Sequence, residues 1–229
     1  MADRVTDLRR RIWVQTALFV PVQALLLFAP AGSLHYWQAW VFGLVFVAAS
    51  SAMGAYFLKH DPALIERRMT AGPGAETEPT QKIIISVIMI GFFLMMVLPG
   101  FDYRWRWSSV PVWLVLLADS GVALSFVIFF FVMKQNSYAA STVRVETGQP
   151  VISTGLYGVV RHPMYAGALL LLLSAPLALG SYWTLLVLIP IFPVLAWRLL
   201  DEEQFLRRNL PGYAEYCRTV RYRLVPGLW

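Results

Sequence analysis

Four long, mostly apolar runs, 12–30, 36–58, 83–98 and 110–133, decide most of what this chain can become. Each approaches the ~20 residues that a helix needs to cross ~30 Å of hydrocarbon. Inside a bilayer every backbone N–H and C=O must be satisfied within the structure, so these runs are expected to be helices. A fifth apolar block, 168–197, is too long for one crossing. Its Gly180-Ser181-Tyr182 stretch is expected to break it into a hairpin whose two arms are shorter and partly interfacial. The chain therefore reads as an all-α, polytopic integral membrane protein with six transmembrane helices, five being the alternative. Hydrophobic residues make up 58% of its 229 positions, against ~45–50% in soluble domains. No length is left for a separate soluble domain, so one membrane domain is expected over 1–229, with an N-terminal helical hairpin and loop at 1–81. The first run is too long for a cleaved signal peptide and lacks the small-residue cleavage site.

Charge gives the expected orientation. Arg4, Arg9, Arg10 and Arg11 precede the first run, and Lys59, Arg67, Arg68 and Lys82 lie in the second loop. Lys134, Arg144 and Arg161 lie in the fourth, and Arg198, Arg207, Arg208, Arg218, Arg221 and Arg223 in or beside the tail. Only Arg104 and Arg106 fall in a loop of opposite parity. The positive-inside rule then places both termini in the cytoplasm. The basic residues flank spans instead of forming one face, which argues against a nucleic-acid partner. A single cysteine, Cys217, excludes an intramolecular disulfide and any multi-cysteine metal site. His35, His60 and His162 are scattered, so no metal is expected.

Three features have modest readings. Asp119, in the middle of the fourth run, either handles a proton or substrate or hydrogen-bonds a neighbouring helix. Segment 101–107, with two arginines among aromatics, reads as an interfacial anchor. The loop 59–81 carries turn signals at Asp61-Pro62 and at 71–74, with a short surface helix over 65–69.

The chemistry is concentrated in 155–167, GLYGVVRHPMYAG, which sets His, Arg, two Tyr and three Gly at the mouth of the fifth apolar block. Such side chains are expensive to desolvate, and a segment that only spans a bilayer has no use for them there. Proline biases His162 toward extended backbone, and Pro163 can occupy the first turn of the next helix. Arg198 and Glu202, four residues apart, share one helix face, with Glu203 about 100° around. Because the hairpin returns the chain to the side it left, 157–165 is expected to lie near Arg198, Glu202 and Glu203.

The order Arg161-His162-Pro163-Met164-Tyr165-Ala166-Gly167, then Glu202-Glu203, then Pro211-Gly212-Tyr213-Ala214-Glu215-Tyr216, resembles the isoprenylcysteine carboxyl methyltransferase family, whose pattern the phospholipid methyltransferases share. The resemblance covers about 136–229; the earlier spans match in hydropathy alone. It implies a methyltransferase-like core over 82–229 and a cytosolic pocket, built by the last loop and the C-terminal tail, for S-adenosyl-L-methionine. By position, Gln149, Pro150, Val151, Ile152, Tyr157, His162, Pro163, Met164 and Tyr165 would bind this donor. Glu202 would hold its polar end, and Arg198 would bind the methyl acceptor; these two are the implied catalytic residues. Glu146 and Asn136 are secondary candidates. The implied reaction is carboxyl O-methylation of a lipophilic small-molecule or lipid acceptor that enters from the bilayer, with membrane lipids as the surrounding partners. Methylation of a phospholipid or another amine is an alternative. The tail 216–226 also resembles membrane sterol reductases, which use NADPH, and a non-enzymatic scaffold is the third possibility. Acceptor identity and oligomeric state are not set by the sequence.

Overall fold

The computed structural model describes every residue except 1, 70, 71, 76, 77, 140, 141, 143 and 144, and gives no side chains for 2–6. The expected turn at Ala71 and the charge of Arg144 therefore fall outside the described residues. The chain is all-helical. Long helices α1 (Ala2–Ala31), α2 (Trp37–His60), α4 (Pro79–Trp105), α5 (Val112–Gln135) and α7 (Leu188–Asn209) are accompanied by shorter α3 (Pro62–Met69), α6 (Pro163–Ala178) and α8 (Tyr213–Thr219). The described residues include no strand.

Five helical stretches are long and apolar enough to cross a membrane, the last running through Trp183–Asn209. This is a multi-pass membrane protein. The break at 180–182 is present, with Gly180 in the left-handed region at φ 74° and α6 ending just before it. The first hairpin arm is shorter than a full crossing, as expected, whereas the second, also expected to be short, is a full-length span because its helix runs on past the apolar block to Asn209. Residues 155–162 are used to build a polar wall, so α6 begins only at Pro163 and has 16 residues, about 24 Å of helix. The count is thus five full-length spans plus one short apolar helix.

Helices in a membrane gain little from hydrophobic exclusion by lipid, so association depends on close packing, often at small residues. The main pairings here carry glycines at the points of closest approach. A Cβ on Gly100 would lie 2.7 Å from the Leu27 carbonyl oxygen, where α4 crosses α1. One on Gly91 would lie 2.3 Å from Ile191 Cδ1 of α7, and one on Gly167 2.8 Å from Phe129 of α5. Gly100 meets backbone, which cannot rotate aside. We expect Gly100→Ala to destabilise the protein by about 1–3 kcal/mol, as overpacking does. Gly54→Ala, where a Cβ would meet nothing within 4 Å, is the control, and thermal unfolding in detergent is the measurement.

One end of the bundle is tied by a carboxylate the sequence did not single out. Asp102 Oδ1 accepts the Ser108 backbone N–H at 2.7 Å. Its Oδ2 accepts the Ser108 hydroxyl at 2.6 Å and the Ser181 hydroxyl. The end of α4, the α4–α5 loop and the α6–α7 turn are thereby joined. Tyr36 donates to the Leu179 carbonyl at the same turn. The neighbouring Trp105 and Trp107 are exposed, as an interfacial anchor requires.

Candidate functional site

At the other end, a cavity of about 360 Å³ opens between α3, α6, α7, α8 and the 136–162 segment. This lies within the ~300–1,000 Å³ typical of small-molecule sites. Its wall includes every residue singled out as donor- or acceptor-binding: Gln149, Pro150, Val151, Ile152, Tyr157, His162, Pro163, Met164, Tyr165, Arg198 and Glu202. Asn136 lines it too, and its amide donates to the Tyr157 hydroxyl at 3.1 Å. Glu146 does not reach the cavity. It accepts two hydrogen bonds from Arg67, from Nε at 2.9 Å and Nη2 at 3.1 Å. This fixes α3 to the loop before Gln149.

Pro163 takes the first helical position, as the dipeptide predicts, whereas His162, at φ −126° and ψ 62°, is out of helical register without being fully extended. Residues 161 and 162 pair with the tail: their backbone N–H groups donate to the carbonyls of Tyr222 and Arg223, each at 2.9 Å. A buried ion cluster locks this arrangement. Arg161 Nε donates to Glu203 Oε1 at 2.7 Å, and His162 Nε2 lies 3.2 Å from the same oxygen. Arg223 Nε donates to Glu203 Oε2 at 3.1 Å. Arg161 Nη1 also reaches the carbonyls of Cys217 and Val220. Segment 157–165 thus meets the 198–203 helix, as the returning hairpin requires. The residue that joins them is Glu203, which sequence reasoning left without a role. Its nearest sequence signal is the acidic run Asp201-Glu202-Glu203 just after the apolar part of α7.

Glu202, one position earlier, faces the cavity and accepts from the Tyr165 hydroxyl at 2.6 Å. Arg198 Nη1 donates to Gln81 Oε1 at 3.0 Å, and Gln81 Nε2 donates to Asp201. Gln81, in the first turn of α4, is 2% exposed. It was missed because a neutral amide before an apolar run carries no chemical signal. Burial pushes the Tyr157 phenol up to about 12, so it stays a neutral hydrogen-bonding group at physiological pH. Tyr213 and Tyr216 complete the wall. The Tyr216 hydroxyl donates to the Tyr157 carbonyl at 2.7 Å. The buried Tyr213 hydroxyl has no partner among the described residues. Ile85 and Ile88 of α4, Ala168 of α6 and Leu195 of α7 give the cavity an apolar side within the membrane helices.

The cavity therefore combines the Glu202 carboxylate, the guanidinium groups of Arg68, Arg161 and Arg198, several phenols and an apolar wall from the membrane helices. Comparison with known proteins agrees with this chemistry. Residues 113–211 match the phospholipid methyltransferase family model. Within that match lie the residues from Gln149 to Glu202 that line the cavity; Gln81, Ile85, Ile88, Tyr213 and Tyr216 lie outside it. The match thus covers part of the cavity wall, and flanking helices supply the rest. The chain is also 36% identical over 92 residues to Delta(14)-sterol reductase TM7SF2 of Mus musculus. That similarity covers 37% of this chain and 21% of the reductase, so the chain spans about a fifth of that relative's length.

Asp119 is not part of the site. It is buried on α5, and neither carboxyl oxygen has a hydrogen-bond partner among the described residues. Cys217 is half-buried beside Tyr213 and Tyr216.

Proposed function

We propose that this protein is an S-adenosyl-L-methionine-dependent methyltransferase acting on a lipophilic acceptor through its carboxylate. The observation that carries this reading is the shared cavity, polar at its mouth and apolar where α4, α6 and α7 bound it. Such a cavity suits a water-soluble donor and a bilayer-borne acceptor. The residues present fit the donor. Glu202 supplies a carboxylate for an ammonium group, the phenols supply faces for cationic portions, and the unpartnered Tyr213 hydroxyl supplies a buried polar contact. When bound, the donor supplies an electrophilic methyl group on a sulfonium, and the methyl passes to the acceptor as the sulfur becomes a thioether.

The remaining work falls to alignment. Arg198, steadied by Gln81, can hold an acceptor carboxylate with two parallel hydrogen bonds. A carboxylate nucleophile needs no general base, whereas a protonated amine does. The nearest basic groups are engaged, His162 with Glu203 and Glu202 with Tyr165. That favours carboxyl over amine methylation. Orientation of this kind supplies roughly 7–11 kcal/mol in favourable cases. The distribution of Lys and Arg supports a cytoplasmic cavity and cytoplasmic termini.

Calorimetric titration of the purified protein with S-adenosylmethionine, S-adenosylhomocysteine and NADPH tests the reading. The first two are expected to bind, and Glu202→Gln is expected to weaken both by about tenfold through loss of a charge-assisted hydrogen bond. Binding of NADPH alone would replace this reading with a reductase, which the 36% identity to the sterol reductase favours as second choice. Alkali separates the acceptor classes: a labelled methyl ester releases methanol, and an N-methyl group stays on the lipid.

A further inference from the structure

The two arginines of opposite parity meet at a second cavity. It lies at the end of the bundle away from the first, has a volume of about 440 Å³, and is bounded by Arg104, Arg106, Tyr36, Tyr103 and Gln38. Arg104 and Arg106 are exposed, and no carboxylate lies within ion-pair distance of either among the described residues. The adjacent acid, Asp102, instead accepts from Ser108 and Ser181. The Arg104 guanidinium lies over the α1–α2 turn, with its Cζ 3.7 Å from where a Cβ on Gly32 would sit. Arg106 occupies the left-handed region at φ 55°, a position glycine normally fills at a helix end. An unpartnered polar atom accompanies the two cations: Gln38 Oε1 is buried and accepts nothing among the described residues. Exposed indoles of Trp37, Trp40, Trp105, Trp107 and Trp183 surround this end, which sets the cavity at headgroup depth.

We propose that this cavity binds a phosphate group, that of a membrane phospholipid whose headgroup also carries a hydrogen-bond donor. The guanidinium groups of Arg104 and Arg106 hold the phosphate oxygens, which planar forked donors recognise well. Gln38 Oε1 accepts from the headgroup ammonium or hydroxyl. Phosphatidylethanolamine fits both requirements. Phosphatidylcholine offers the phosphate but no N–H, so Gln38 Oε1 stays unsatisfied beneath it. The site is separate from the methyltransferase reading and does not depend on it.

Native mass spectrometry of the full chain, released from micelles doped with either lipid, tests the proposal. The wild type is expected to retain phosphatidylethanolamine over phosphatidylcholine. The double variant Arg104→Gln/Arg106→Gln is expected to retain either lipid about tenfold less. Both side chains are exposed, so the variant should fold, and its circular dichroism should match the wild type. Gln38→Leu should keep phosphate-dependent retention and lose the preference between headgroups. Equal retention by the double variant overturns the site, and equal retention of the two lipids by the wild type overturns the role of Gln38. Inorganic phosphate at matched concentration is the arm for a free anion. Displacement of the lipid by it would overturn the lipid assignment.

Discussion

Glu203→Ala is expected to destabilise the folded protein by about 3–5 kcal/mol, the usual effect of removing one partner from a buried ionic cluster. Glu203 is 3% exposed, and Arg161 and His162 beside it are 7% and 5% exposed. Without the carboxylate, Arg161 stays buried and keeps only the carbonyls of Cys217 and Val220 as acceptors. Arg223 also loses its bond from the tail to α7. The cluster joins the 155–162 wall, α7 and the tail, so the damage should centre on the cavity while the membrane helices persist. Thermal unfolding in detergent measures the loss, and hydrogen exchange at 155–162 and 213–223 locates it. Glu203→Gln, which keeps the shape and one acceptor oxygen, should lose less. A melting curve unchanged in the alanine variant would show that the cluster contributes nothing to stability.

Arg198→Ala is expected to reduce methyl transfer about 100-fold while changing donor affinity by less than about threefold, since misplacing a reacting group by an ångström costs this much. The assay follows labelled methyl from S-adenosylmethionine into lipids extracted from membranes, with donor affinity measured separately by calorimetry. The split matters because Arg198 and Glu202 share a cavity wall. Equal losses in both quantities would move Arg198 into the donor's pocket. Gln81→Leu gives a second view of the same contact. It removes the acceptor for Arg198 Nη1 and the donor to Asp201, so it should slow transfer in the same direction with the guanidinium still present.

How much of this was written in the chain differs from feature to feature. Apolar run length placed the long helices because the bilayer sets one length scale for all of them. The break at Gly180 and the start of α6 at Pro163 followed from local backbone chemistry. Pro211-Gly212 follows the end of α7 at Asn209, with Gly212 at φ 84°. The hairpin argument brought 157–165 to 198–203 without any contact being known. Individual partners were harder to read. Glu203 lies about 100° around from the Arg198–Glu202 face, and that offset is what lets it turn toward Arg161 and the tail while Glu202 turns toward the cavity. Gln81 and Arg198 are 117 positions apart, and no local pattern links an amide to a guanidinium at that separation. The shortness of the first hairpin arm was foreseen, but its cause, the loss of 155–162 to the wall, needed the structure.

The tail's pairing with residues 161 and 162 has a consequence for biogenesis. All five long spans precede α8, which gives Tyr213 and Tyr216 to the cavity wall, and residues 222 and 223, whose carbonyls hold 161 and 162 in place. A nascent chain can therefore be threaded into the lipid while its ligand chamber still lacks a side. Entry into the lipid and closure of the chamber are therefore separate events, and the second waits on α8 and residues 222 and 223.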